Sequence, residues 1–274
     1  MATKLLMKNA LRSLGLYPAA ARANLYLKQC LGNNSAAAIG DRTRRIARHK
    51  NDLAFFRPFI TANDLVFDIG AYYGNWTQVF LDLGATVVAC EPQIDCLRRL
   101  RARQTARATG GRLTVLDCAV SASRGNGRFY VREARGTSGL LEDWHPRIRV
   151  ERAVDVRVVT LDDLVDTYGV PRYCKIDVEG YEHEVLKGLT TPIPMMSLEY
   201  HWPPVCGIDK TVACLDYVSK FGKIRLNVTS GRQLAFLFTG WVDYEYFVEF
   251  FTQHLQNVAG FGEYGDIFIQ VESS

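Results

Sequence analysis

The spacing of hydrophobic positions changes about fifty residues into the chain. Residues 1 to about 50 read as helical and Ala/Arg-rich, with a break near Gly32-Asn-Asn-Ser35. From about residue 53, short β-branched runs alternate with helical stretches. Leu65-Val-Phe-Asp-Ile69, Thr86-Val-Val-Ala-Cys90 and Leu113-Thr-Val-Leu-Asp117 read as strands, separated by helical stretches at 75–83 and near 94–108. Strand, helix and strand at this spacing imply βαβ units and a parallel sheet. Residues 127–132 and 154–160 also read as extended. Between them lie Gly136-Thr-Ser-Gly139 and Trp144-His-Pro146, in a loop long enough to be functional. Further strands are expected at 173–177, 195–200, 223–228 and 266–271, and helices from Leu161 and over 181–188, 210–220 and 243–256. The pattern divides the chain into a helical extension, 1–50, and an α/β domain, 51–274.

Composition narrows the class. The chain has 274 residues, 48% hydrophobic and 23% charged, the profile of a soluble globular protein able to bury a core without staples. Its seven cysteines contain no C-x-x-C pair, which argues against a disulfide framework and a zinc site. Cys90, Cys118 and Cys174 fall in apolar runs and are expected to be buried thiols, with a reducing, cytoplasmic setting. No apolar run approaches a membrane span, and residues 1–29 lack the continuous apolar stretch of a signal peptide. Net charge is only +4, but basic residues cluster at Arg42, Arg44, Arg45, Arg48 and Lys50, and at Arg98, Arg99, Arg101, Arg103, Arg107 and Arg112. A solvated helix face is the favoured reading over a surface for nucleic acid, anionic lipid or acidic sugars, and with no aromatic residues interleaved the second group does not read as a single-strand stacking platform.

The chemistry gathers at the ends of the expected strands. Asp68-Ile-Gly-Ala-Tyr-Tyr-Gly74 places an acid and a glycine turn where a strand gives way to a helix. In open α/β sheets this first turn borders the ligand crevice, and the helix start offers free N–H groups. The Gly70-x-x-x-Gly74 spacing lacks the G-x-G-x-x-G cradle of a dinucleotide, which disfavours NAD. S-adenosylmethionine, with no phosphate but a sulfonium, an ammonium and a carboxylate, suits an acid before the turn. Glu91, in Cys90-Glu91-Pro92, stands where an acid can accept both ribose hydroxyls, and Asp117-Cys118-Ala119 where an adenine ring would lie.

Lys175-Ile-Asp-Val-Glu-Gly-Tyr-Glu182 puts three ionisable groups at the end of an apolar strand, where burial without partners or a task is costly. Period two brings Lys175 and Asp177 to one side, with Glu179 just beyond, and aligns Glu199 with His201 on the next strand. Asp177, Glu179, Glu199 and His201 could surround one site, holding a divalent ion such as Mg²⁺ or orienting a substrate hydroxyl. Phe236, Phe238, Trp241, Tyr244, Tyr246, Phe247, Phe250 and Phe251 could line an acceptor groove, although a helix there also needs a core face.

These segments, with Ala119-Val-Ser121, Val159-Thr-Leu-Asp-Asp-Leu164 and Leu186-Lys-Gly188, resemble the FkbM-type methyltransferase family over about residues 64–202. The resemblance implies a Rossmann-like methyltransferase fold, a mostly parallel seven-stranded sheet with helices on both faces; the N-terminal helical extension and the region beyond 203 lie outside the match. It implies S-adenosylmethionine as methyl donor and O-methylation of a sugar, glycan or small natural product by in-line transfer. The cofactor-contacting set would be Asp68, Gly70, Ala71, Tyr72, Gly74, Asn75, Glu91, Pro92, Asp117, Cys118 and Asp177. Asp177, Lys175, His201 and Glu179 are the candidates for catalysis. Tyr72 and Tyr73 depart from the smaller residues common in the family. Rival readings are an RNA or protein methyltransferase using the Arg-rich face, and a non-catalytic nucleoside-binding module. A homodimer is a further use for exposed aromatic residues.

Overall fold

The computed structural model describes residues 44–105, 109–134, 136–144, 147–201, 208–231, 234–253 and 264–272. The expected helices before residue 44, and Arg42, Arg107, His145, Pro146, Cys30 and Cys206, lie outside the described residues. Contacts within the chain divide it into two compact units, Met1–Asn51 and Asp52–Ser274. In the first, the described residues 44–51 are helical.

The strands of the second unit are β1 (Leu65–Ile69), β2 (Thr86–Cys90), β3 (Leu113–Leu116), β4 (Ala119–Val120), β5 (Gly125–Arg132), β6 (Val150–Val159), β7 (Tyr173–Ile176), β8 (Met195–His201), β9 (Ile224–Val228), β10 (Val242–Asp243) and β11 (Tyr264–Val271). Its helices are α1 (Asn75–Asp82), α2 (Ile94–Gln104), α3 (Leu161–Tyr168), α4 (Glu182–Lys187), α5 (Ile208–Ser219) and α6 (Tyr244–Gln253). The main sheet runs β10-β9-β11-β8-β7-β1-β2-β3. The ladders among β3, β2, β1, β7 and β8 are parallel; β11 reverses direction between β8 and β9.

The sheet therefore has eight strands, one more than expected. The extra strand is β10, two residues antiparallel to β9, too short to give a periodic signal. The extended stretches at 127–132 and 154–160 pair antiparallel as β5 and β6 in a separate small sheet with β4. Its own core is Ala119, Phe129, Val131, Val156 and Val158.

Side-chain alternation splits the main core in two. Phe67, Ile69, Cys174, Ile176 and Leu198 pack with apolar residues of α3, α4, α5 and α6. Val66, Tyr173, Met195 and Phe268 face the other way, against Phe56, α1 and α2. The short apolar strands are nearly fully buried, as a sheet covered on both faces requires. Helix α3 starts at a capping box in which Thr160 and Asp163 satisfy each other's backbone N–H groups. The aromatic residues at 236–251 act mainly in packing: Phe236 and Trp241 pack beside Phe55, Phe59 and Phe268, and Phe247 and Phe251 are buried on the opposite face. No described helix is long and apolar enough to cross a membrane.

Candidate active site

Strand register builds the site. Asp68 pairs with Lys175, Lys175 with Ser197, and Glu199 with Asp266, all towards the carboxyl ends of the parallel strands. Paired residues share a face, and period two adds Asp177 and His201 to it. Lys175 is 2% exposed; its Nζ lies 3.0 Å from Asp177 Oδ2 and 2.9 Å from Asp266 Oδ1. The intervening strand carries Ser197 at the position beside Lys175, and so small a side chain leaves the reach to β11 open. Burial opposes the lysine's charge, but Asp177 and Asp266 prevail and hold its pKa well above the ordinary value. The two carboxylates favour its charged form, against the lowered pKa that a role as base would need.

Asp177 lines a cleft at the ends of β1, β2 and β7. Burial raises its pKa, but Lys175 and a hydrogen bond from Glu199 outweigh burial and keep the carboxyl below its usual range. Glu199 moves well above its own range through burial and the charges of Asp177 and Glu179. The pair is thus pushed apart, Asp177 towards its charged form and Glu199 towards its protonated one. Behind them, His201 Nε2 lies 2.9 Å from Glu199 Oε2 and 3.8 Å from Glu179 Oε2. Trp144 Nε1 donates to Glu179 Oε2 at 2.9 Å, and its ring meets His201 edge-on at 5.0 Å. Burial raises the Glu179 pKa to about 8. Glu179, Glu199 and His201 bring ligand atoms within 4.8 Å of one another, and Asp177 is not in that group. The bonds among them and to Trp144 account for the cluster, so it carries no metal assignment here.

The cofactor side of the cleft is built on the glycine turn. Gly70 has φ +80°, and a Cβ on it would lie 1.9 Å from the Asp177 carbonyl oxygen, so only glycine lets β1 turn against β7. Glu91 is 5% exposed; Oε2 accepts from Tyr72 N at 2.8 Å and Oε1 from Gln93 N at 2.7 Å. Each oxygen keeps a second lone pair. Burial raises the Glu91 pKa to about 7. Tyr72 has φ +49°, a left-handed conformation that costs a tyrosine about 1–2 kcal/mol.

Of the expected cofactor residues, Gly70, Tyr72, Glu91, Pro92, Cys118 and Asp177 line the cleft. Asp68 is 1% exposed and accepts from Thr77 Oγ1 at 2.5 Å, which ties β1 to α1 behind the turn. Ala71 N bonds to Cys90 O, Gly74 caps α1, and Asn75 is exposed at its start. Asp117 instead pairs with Arg101 at 3.1 Å on the surface.

Several residues had no sequence signal as site residues. Phe129 and Leu140 add apolar lining to the cleft with Cys118. Buried Arg132 donates to the carbonyls of Thr137, Leu141 and Glu142 and so shapes the loop beside the cleft. Asp266 lies 91 positions from the lysine it neutralises. Only loop length hinted at Trp144.

A mostly parallel sheet, with a cleft at the strand ends where its order reverses about β1, defines a Rossmann-like α/β protein. The chain belongs to the methyltransferase FkbM domain family, which matches residues 68–231. It is similar to the hexuronic acid methyltransferase AglP of Haloferax volcanii, at 28% identity over 133 residues, 48% of this chain and 52% of that protein. The match thus spans about half the length of that curated relative. Among solved structures, an rRNA methylase from Streptococcus thermophilus superposes with TM-score 0.42 at 10% identity, covering 81% of this chain and 94% of that one. A TehB-like SAM-dependent methyltransferase from Corynebacterium glutamicum gives TM-score 0.41 at 9% identity, covering 86% and 97%.

Proposed function

We propose that this chain is a methyltransferase that uses S-adenosylmethionine to methylate a hydroxyl on a sugar, glycan or small natural product. The observation that carries the reading is Asp177: a carboxyl at the cleft wall whose Oδ2 lies 3.0 Å from the buried Lys175 Nζ, which favours its charged form. The sugar-directed relative supports the acceptor class.

The cleft fits the donor. Gly70 lets the β1 turn pack on Asp177 and itself lines the cleft. The free lone pairs of Glu91 can accept two ribose hydroxyls, and Cys118, Ala119, Phe129, Leu140 and Tyr181 offer an apolar slot for adenine. When bound, S-adenosylmethionine supplies a methyl group on a sulfonium, already activated for transfer. The chain then has to align the acceptor and take up one proton. Asp177 can accept a hydrogen bond from the acceptor hydroxyl, orienting the oxygen and receiving the proton as it is released. Glu199 and His201 hold that carboxylate in place from behind, and Lys175 keeps it charged. We assign this work to residues 51–274, with 1–50 as an extension. The buried free thiols Cys90, Cys96, Cys118, Cys174 and Cys214 fit a reducing, cytoplasmic setting.

The test is a screen of uronic acids, neutral sugars and glycans with S-adenosylmethionine, read by mass for a gain of about 14 Da, one CH₂. Asp177→Asn should keep donor binding by calorimetry and lose turnover by about 10²-fold or more. Full turnover in that variant would remove Asp177 from the chemistry. Failure of the wild-type chain to bind the donor would remove the reading itself.

A further inference from the structure

Tyr72 holds a backbone conformation that disfavours its own side chain. Its φ is +49°, where glycine would make the same turn without the penalty. What the strain retains is therefore the ring. Such strain persists where surrounding contacts over-determine it, and it collects at ligand clamps.

The contacts are all present. Tyr72 N–H donates to Glu91 Oε2 at 2.8 Å, so the carboxylate assigned to the ribose also sets the ring's position. The ring lies against Tyr73, centroids 4.1 Å apart with planes tilted by 41°. Tyr73 is backed by the Arg99 guanidinium, 4.0 Å from its ring centre, and its carbonyl accepts from Arg103 at 3.4 Å. On the other side, the tip of the Tyr72 ring stands 3.9 Å from the point a Cβ on Gly136 would occupy. Tyr72 and Gly136 both line the cleft. Ring contacts thus run from α2 through Tyr73 to Tyr72, whose tip points towards Gly136.

We propose that Tyr72 is a positioning residue for the cofactor: its ring, propped by Tyr73 and Arg99, closes the glycine-turn side of the cleft against Gly136 and slows cofactor release. This rests on S-adenosylmethionine being the donor. Arg99 thereby has a task within the molecule, distinct from meeting an outside polyanion.

The test compares wild type, Tyr72→Phe, Tyr72→Gly and Arg99→Gln by the melting temperature of the ligand-free chain, calorimetric S-adenosylhomocysteine affinity, and its dissociation rate. Tyr72→Phe keeps the ring and should match wild type. Tyr72→Gly should melt no lower than wild type, because backbone strain is relieved, yet release S-adenosylhomocysteine roughly tenfold faster, the scale of one lost aromatic contact. Arg99→Gln should give a smaller increase in the same direction without a change in melting temperature. Unchanged release from Tyr72→Gly overturns the proposal. So does a lower melting temperature with proportionate loss of binding, which would mark the ring as packing. A wild-type chain that does not bind S-adenosylhomocysteine overturns the donor reading and this inference together; an unaffected Tyr72→Gly overturns only the inference.

Discussion

Lys175 carries a full charge into the interior, and its two carboxylate partners make that tolerable. Replacing a buried pair with apolar groups can be neutral, whereas removing one partner leaves the other unpaired and costs about 3–5 kcal/mol. Lys175→Met removes the cation and leaves Asp177 and Asp266 behind. Their pKa values in the folded state then rise above the unfolded value of 3.8. A carboxyl raised in this way favours folding at low pH and loses that contribution as pH rises through its folded pKa. The stability deficit of Lys175→Met should therefore be small near pH 4 and grow towards pH 8. Urea unfolding at both pH values measures it; a deficit independent of pH would contradict the charge argument. Glu91 gives a second pH effect at this scale. Burial lifts its pKa from 4.5 to about 7 in the ligand-free chain, and ribose binding as proposed needs the carboxylate. Donor affinity should be constant above that pH and fall by up to about tenfold per unit below it. Calorimetric titration from pH 5.5 to 8.5 checks this, and a flat profile would take Glu91 out of the ribose contact.

At the scale of elements, the loop between β5 and β6 depends on two anchors. Arg132 holds it by its carbonyls, and Trp144 lies against Gly180. A Cβ on Gly180 would fall 1.9 Å from the Trp144 ring, and its φ of +85° is strained for any other residue. Gly180→Ala should push Trp144 out, break its bond to Glu179 and loosen residues 136–144. Hydrogen exchange in that loop should quicken while β1, β2 and β7 keep their protection; unchanged exchange would mean that the ring is held by other contacts. Gly180 also shows how far the sequence could be read. Its motif placed Asp177 and Glu179 at a strand end, because ionisable groups after an apolar run are conspicuous. The obstacle of Trp144 is invisible without the fold, since it comes from a loop with no periodicity. Asp266 was hidden for a related reason: in an apolar strand one acid reads as a terminus, and its partner is distant in sequence. Asp117 shows the converse. Strand-end position suggested a ligand contact, but the nearby Arg101 draws its side chain to the surface. The Arg-rich stretch is likewise partnered: Arg98 with Asp95, Arg103 with Gln78 and Arg112 with the carbonyls of Leu81 and Ala85. Charge counting alone registers clusters of this kind but not their internal partners.

Across the Asp52–Ser274 unit, the cleft has walls from two separately built layers. One is the main sheet, with Gly70, Glu91 and Asp177; the other is the small sheet and its loop, with Phe129 and Leu140 over their own core. A ligand that touches both walls binds the folded chain and not the unfolded one, so it stabilises the whole by mass action. At a free S-adenosylhomocysteine concentration one hundred times its dissociation constant, the gain is about 2.7 kcal/mol. For a unit of this size each kcal/mol moves the melting temperature by about 2–4 °C, so a rise of roughly 5–10 °C is expected. NAD should give none, because the turn has no pyrophosphate cradle. Scanning calorimetry with each compound decides the matter. Two resolved transitions, with only the later one shifted by S-adenosylhomocysteine, would show that the small sheet melts independently and that the ligand is held by the main sheet alone. One transition that moves as a unit is the outcome expected if the cleft joins both layers into a single cooperative structure.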